Sequence, residues 1–240
     1  MYNNIFLRTE MLIGTENLEK LKKSHIAIFG VGGVGGYAFE ALVRSGVGEI
    51  DIFDNDVVDI TNINRQIIAT IDVVGLDKVE VARRRALIIN PNVIVNTYKT
   101  FVLESNIESI DFSKYDYVID AIDTVNGKLA IIEKAIKNNV NIISSMGTGS
   151  KLNPLELKVV DIYKTKGCPL AKVMRSELKK RNIKSLKVCY SEEDVKQCMI
   201  ENPPKRASGR PTPSSISFVP SCAGLIIASE VVKDIIGIKE

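Results

Sequence analysis

The 240-residue chain predicts a doubly wound α/β fold with a largely parallel sheet, and three observations carry that expectation. Between residues 25 and 145, short β-branched runs alternate with segments of helical apolar period. The first run leads straight into glycines, HIAIFGVGGVGG (25–36), which open the first helix of the repeat. The second run ends in an acid, Asp54, 24 residues after Gly30.

Taken in order, TENLEKLKK (15–23) reads as a short helix capped by Thr15. A strand over 25–29 and a helix over 33–45 follow. Then come strand 49–53, helix 76–90, strand 93–98, strand 116–120, helix 124–138 and strand 140–145. The pattern changes after about residue 150: a short strand (155–160), a basic helix (168–181) and a strand (186–190). ENPPKRASGRPTPSS (201–215) is too polar and too rich in Pro and Gly to build a core, and reads as a mobile loop. A strand at 216–219 and an apolar helix over 221–236 close the chain. The expected organisation is one domain over 1–240. It comprises an N-terminal helix or arm (1–24), a Rossmann-like core (25–160), a basic, substrate-facing extension with its loop (161–215), and a closing strand and helix (216–240).

Composition removes whole classes of chemistry. With 45% hydrophobic and 25% charged residues the chain can bury a real core. No apolar run approaches the roughly 20 residues that span a bilayer, and MYNNIFLRTEML does not read as a secretory signal. A cytoplasmic location is expected. His25 is the single histidine and opens a buried strand, so it reads as a strand-edge residue, and triads or His-based metal sites are excluded. The four cysteines form no C-x-x-C pair, which argues against a tetrahedral zinc site. Residues 164–210 carry a net charge of +8 against −5 for the rest of the chain. Either this segment meets a polyanion or it is a solvated lysine-rich helix; charge alone does not separate the two.

The glycines raise the question of which phosphate they serve. Gly30, Gly32 and Gly35 satisfy G-x-G-x-x-G, with Gly33 added, and such a loop brings backbone N–H groups to a phosphate. NAD and ATP both fit, and Asp54 can accept from the ribose of either. TNINRQ (61–66) discriminates. It sets Asn62, Arg65 and Gln66 past the second strand, with Lys78 opening the next helix. A pyrophosphate is usually satisfied by the helix N-terminus itself; an added Arg and Lys suit the larger charge of a triphosphate. In DYVIDAIDTVNGK, Asp120 and Asp123 stand at the end of the 116–120 strand, where a carboxylate is expected to hold Mg²⁺. Singly, each residue has a plain alternative: a surface ion pair for Arg65, a helix N-cap for Asp123. Together they favour ATP.

This succession (Gly-x-Gly-Gly-x-Gly, an aspartate, N-x-N-R-Q, a lysine, D-x-x-D) resembles the adenylyltransferase fold of ubiquitin-activating enzymes and their bacterial thiamine and molybdopterin counterparts. That resemblance runs from about residue 8 to 150. It implies Asp54 on the ribose, Asn62, Arg65 and Lys78 on the polyphosphate, and Asp123 with magnesium. Arg8, in RTEMLIG, matches an arginine that reaches the γ-phosphate across a dimer interface, which implies a homodimer. Further stretches, VRSGVGEI (43–50), YDYVIDAID (115–123), ISSMGTG (143–149), KTKGCPLAKVMRSELKKR (164–181) and FVPSCAGLIIASEVVKDIIG (218–237), resemble one subfamily over nearly the whole chain: the tRNA threonylcarbamoyladenosine dehydratases. What the resemblance implies is ATP-dependent cyclisation of that nucleoside beside the anticodon.

On that reading the basic segment holds tRNA by its phosphates, with Arg175, Lys179, Lys180, Lys205, Arg206 and Arg210 as candidates. A cysteine desulfurase or sulfur-acceptor system is a further partner that relatives bring into view. Cys222, after Pro220, and Cys168, before Pro169, sit near predicted helix starts where a thiol pKa can fall. Their plain reading is packing, and neither is named as catalytic. The alternatives are an adenylyltransferase acting on a sulfur-carrier protein, a non-catalytic nucleotide-binding scaffold, and a nicotinamide oxidoreductase. The basic segment counts against the first, the Arg65, Lys78 and Asp123 set against the second, and the lack of a hydride-partner acid or base against the third.

Overall fold

A computed structural model describes residues 4–204 and 212–238. Seven strands form one sheet: β1 (His25–Phe29), β2 (Glu49–Phe53), β3 (Ile94–Tyr98), β4 (Tyr117–Asp120), β5 (Asn141–Ser145), β6 (Leu157–Asp161) and β7 (Lys187–Ser191). Their order is β3-β2-β1-β4-β5-β7-β6, and only β6 runs antiparallel to its neighbour. β7, from inside the basic extension, therefore belongs to the same sheet as the glycine-loop strand.

Helices cover both faces, as a parallel sheet requires. On one face α3 (Gly35–Ser45), α4 (Lys78–Ile89) and α8 (Phe218–Ile236) pack on β1, β2 and β4 through Phe39, Leu42, Ile28, Ile52 and Ile227. The other face is closed by α5 (Glu104–Ile107) and α6 (Val125–Lys137) over Phe29, Phe53 and Phe112. α7 (Pro169–Lys180) completes it with Met174 and Leu178 against Val188.

Register decides where the site lies. Phe29 pairs with Phe53 across β1 and β2, and with Asp120 across β1 and β4. The chain consequently leaves all three strands at one edge of the sheet. The order reverses between β1 and β4, which is where ligands bind on such sheets.

The amino end of the sheet carries a polar knot. Asp51 is fully buried and accepts hydrogen bonds from Lys114 Nζ and Tyr115 Oη at 2.7 Å and from Asn96 Nδ2 at 2.7 Å, with His25 Nε2 at 2.8 Å. His25 is thus a member of a buried network rather than a bare strand-edge residue.

Three expectations are corrected. The first concerns the N-terminus. The arm holds two helices, α1 (Leu7–Ile13) and α2 (Thr15–Lys23), broken at Gly14 with φ 84°. Thr15 starts α2 without capping it and donates its hydroxyl to Glu10 Oε1 at 2.8 Å. The second concerns 216–219, which forms no strand. Ser217 is already in the right-handed helical region and α8 begins at Phe218. Pro220 suits the first helical turn, whose N–H groups have no intrahelical partner, so it ended the strand reading without blocking a helix. Third, the loop at 201–215 is in part well tied. Ser150 N–H donates to Ser214 O at 2.7 Å, and Asn64 Nδ2 donates to Ser215 O at 3.0 Å.

Candidate active site

A cleft of about 860 Å³ opens at the carboxyl edge, lined by the segments that follow β1, β2, β3, β4 and β5. The β1–α3 turn forms its floor. Gly30 has φ 89°, and a Cβ there would sit 2.9 Å from Ala121 O, so the β1 and β4 ends approach as closely as backbone allows. Gly32 and Gly33 line the cleft. Gly35 does not, which corrects its assignment to the binding loop: a Cβ at Gly35 would lie 1.8 Å from Gly30 O, so its smallness seats α3 against β1. The first N–H groups of α3 are largely taken up by the turn itself, Gly36 N–H by Gly32 O at 3.0 Å and Tyr37 N–H by Val34 O at 3.1 Å, so the amides that could meet an anion are those of the glycine turn that precedes them.

Asp54 stands at the end of β2. Its carboxylate accepts Val31 N–H and Asp56 N–H, both at 2.9 Å, which ties the glycine turn to the acid. Burial pushes its pKa up, against the opposing pull of Lys78 and these backbone donors. Lys78 is 5% exposed and its Nζ donates to Asp56 Oδ2 at 2.7 Å, so a cation is held inside the cleft by one solvent-facing carboxylate.

The 62–66 turn is built by Asp59. Its Oδ1 accepts Thr61 N–H at 2.8 Å, while Asn62 Oδ1 accepts Asp59 N–H at 3.1 Å. Asn62 is buried, and the bonds it makes shape the turn that presents Arg65. Arg65 Nη1 donates to Thr61 O and Asn64 Oδ1, both at 2.8 Å. Burial draws its pKa below the ordinary arginine value, with Asp59 opposing, and a guanidinium remains charged at neutral pH regardless. Gln66 is 7% exposed, and its Oε1 has no hydrogen-bond partner among the described residues although Gln66 lines the cleft. A buried acceptor left unmade costs about 1–3 kcal/mol, which a ligand donor would recover. Thr124 Oγ1, on the segment after β4, is a second such atom.

Asp123 is exposed at the cleft. Asp120, its partner in D-x-x-D, is elsewhere: fully buried, it pairs with the equally buried Lys128 at 3.0 Å and accepts from Ser144 Oγ at 2.5 Å. Lys128 Nζ also donates to Ser145 O at 2.7 Å. The pair knits β4, β5 and α6 beneath the cleft. Sequence reasoning missed Lys128, because a lysine five residues after Asp123 reads as an exposed helical residue.

The cleft extends past the glycine turn to Ser145–Lys151, the start of α7 and the 212–215 segment. Here the structure adds Lys151 and Lys196. Lys151 is 3% exposed and donates to Ser191 O and Glu193 O, pinning this wall. Cys168 is buried beside it, and Cys222 is half-buried against the core of α3 and α8.

The remaining candidates divide. Arg8 is exposed on α1 and is not among the cleft-lining residues of its own chain. Arg175, expected to meet tRNA, is half-buried and its Nη1 donates to Thr165 O at 3.0 Å and to Thr165 Oγ1, so it braces the turn before α7. Lys180 is engaged by Glu177 at 2.6 Å. Lys179 is exposed. Lys205, Arg206 and Arg210 lie outside the described residues. Among the described residues no helix is long and apolar enough to cross a membrane.

Known proteins share this fold. The model of the ThiF family matches residues 6–240. The chain is 43% identical over 239 residues to the tRNA threonylcarbamoyladenosine dehydratase of Bacillus subtilis, covering 96% of this chain and 94% of that protein. Crystal structures of the Escherichia coli tRNA N6-threonylcarbamoyladenosine dehydratase superpose with TM-scores of 0.87 for its AMP complex and 0.85 for its ATP complex. The AMP complex is 32% identical, with 96% of this chain and 93% of that one covered. The ATP complex is 33% identical, with 97% and 93% covered.

Proposed function

The chain belongs to the ThiF family, and from that premise we propose that it is an ATP-dependent tRNA threonylcarbamoyladenosine dehydratase. The observation that carries this reading is the cleft itself. The glycine turn, Arg65, Lys78 and Asp54 share one half, and a second, polar half has room for the nucleoside.

A carboxylate is a poor electrophile because oxide cannot leave. Adenylation of the threonine carboxylate releases pyrophosphate and turns that oxygen into part of a leaving AMP. Closure of the ring by the neighbouring carbamoyl group then expels AMP, and the net change in the nucleoside is the loss of one water. The chain's work in the first step is electrostatic: Arg65 and Lys78 offset the repulsion between two anions. Gln66 Oε1, the buried acceptor without a partner, would receive a hydrogen bond from the nucleotide. Asp123 would hold Mg²⁺, which supplies further neutralisation of phosphate charge. The second step is intramolecular, so holding the substrate in place supplies much of its acceleration, up to ~7–11 kcal/mol in favourable cases. No protein nucleophile is required, in keeping with the packed positions of Cys168 and Cys222.

Arg8 completes the site of a partner subunit in a homodimer, and its exposure on α1 suits that role. The reaction belongs in the cytoplasm, where tRNA and ATP meet, and a sulfur-transfer system is an accessory partner. The carrier-protein reading is not favoured, since the whole-length similarity is to dehydratases. The test is mass spectrometry of nucleosides from threonylcarbamoylated tRNA incubated with the pure protein and Mg-ATP. A product lighter by one water, formed only with ATP, is expected. Unchanged tRNA overturns the reading.

A further inference from the structure

α7 joins two places. Its N-terminal residues line the catalytic cleft, while Lys179, near its other end, lines a separate hollow of about 350 Å³ with Tyr163, Asn182, Ile183 and Lys184. The antiparallel β6 explains why this hollow lies far from the cleft. Its chain runs away from the carboxyl edge and delivers Tyr163 to the opposite end of the sheet, beside the start of β7. Twelve helical residues separate the two sites by about 18 Å, the length of roughly five stacked nucleotides.

The hollow has the parts of a nucleotide subsite. The Tyr163 hydroxyl donates to Ile183 O, which fixes the ring while leaving the residue 38% exposed. Lys179 and Lys184 flank it, and neither forms an ion pair among the described residues; the same holds for Lys164 and Lys172. Nearby acids are already engaged. Glu177 pairs with Lys180 and Arg181, Glu133 pairs with Arg181, and Asp161 accepts the N–H groups of Tyr163 and Leu186. Lys172 and Lys179 are seven residues apart, two turns, so they form a rail along one face of α7 from the cleft toward the hollow.

We propose that this hollow is a second RNA subsite, in which an unpaired base of the substrate tRNA stacks on Tyr163 while Lys179 and Lys184 hold the adjoining phosphates. An aromatic face with unpaired lysines on both sides is the chemistry by which single-stranded RNA is held without base-specific contacts. The subsite rests on the reading of tRNA as substrate. It fixes the arm at a distance from the reacting nucleoside, so the cleft need not supply the whole affinity.

The experiment measures the affinity of threonylcarbamoylated tRNA, by fluorescence anisotropy over a salt series, for the wild type and for Tyr163→Ala, Tyr163→Phe and the double variant Lys179→Ala/Lys184→Ala. A fully paired RNA duplex serves as the control ligand. Tyr163→Ala is expected to weaken tRNA roughly 5- to 150-fold, in line with about 1–3 kcal/mol for a stacked base, and to leave duplex affinity and the KM for ATP unchanged. Tyr163→Phe keeps the ring and stays within about two-fold of wild type. The double lysine variant lowers the slope of log affinity against log salt by about 1.4–1.8. Wild-type affinity in Tyr163→Ala, or an equal loss in the Ala and Phe variants or on the duplex, overturns the subsite. Should the wild type bind tRNA yet form no cyclic product, the dehydratase reading falls while the Tyr163 comparison still decides the subsite. A wild type that binds no tRNA removes the subsite as well.

Discussion

Lys128→Ala removes a fully buried cation outside the cleft and strands its partner. Lys128 and Asp120 are both fully buried, and Lys128 Nζ serves three acceptors: Asp120 Oδ2, Ser144 Oγ and Ser145 O. Truncation leaves the Asp120 carboxylate buried and, among the described residues, with the Ser144 hydroxyl at 2.5 Å and the Ile122 N–H at 3.4 Å as its remaining donors, both neutral. Stranding one member of a buried pair costs about 3–5 kcal/mol. In a chain of this size each kcal/mol moves Tm by about 2–4 °C, so a fall of roughly 6–20 °C is expected in a thermal unfolding scan. Lys128→Met combined with Asp120→Asn removes both charges and should restore more than half of that loss, because the penalty arises from the unpaired ion and not from the missing pair. The reasoning is refuted by a Tm within about 3 °C of wild type in Lys128→Ala, or by a double variant less stable than the single one.

Other outcomes follow from the site and the sheet. Arg65→Ala and Asp123→Ala should each lower kcat for cyclic product by about 10²–10³-fold, the scale of losing one charge-stabilising contact, with unchanged circular dichroism. An Arg8→Ala protein mixed and re-equilibrated with an Asp123→Ala protein should regain part of the activity that neither has alone, since mixed dimers carry one intact site; no recovery removes the shared-site arrangement. Burial alone would raise the Asp51 pKa, yet hydrogen bonds from Lys114, Asn96, His25 and Tyr115 bring it down from 3.8 to about 2. A depressed folded value means stability that is present above about pH 4 and is lost as the pH falls toward 2, amounting to roughly 2 kcal/mol. Urea midpoints at pH 5 and pH 2.5 should therefore differ less in Asp51→Asn than in wild type.

Much of the fold was legible because it rests on local pattern. β-branched runs located the strands of the core to within a residue or two, and helical period located α3, α4, α6 and α7. The misreadings share one cause: short signals that two structures can satisfy. Pro220 ends a strand as readily as it enters the first turn of a helix, and Gly14 breaks an arm that reads as one segment. In the site, Gly30, Gly32, Gly33, Asp54, Arg65, Lys78 and Asp123 all fall where the chain leaves the sheet, and all line the cleft. Asn62 and Gln66 line it too, and Asn62 also shapes the turn that carries Arg65, whereas Gly35 and Arg175 are engaged in building local geometry, which spacing cannot distinguish from contact with a ligand.

The sequence by itself determined the alternation of strands and helices, the glycine turn and the order of the charged residues beyond each strand, since these depend on backbone sterics and nearest neighbours along the chain. Only the tertiary structure decided that Asp120 is sealed against Lys128, that Lys151 stiffens the second half of the cleft, and that β7 joins the sheet with β6 antiparallel beside it, which carries Tyr163 to the far end. Burial and ion pairing are set by what other segments bring to the same point in space, and no single segment carries that information.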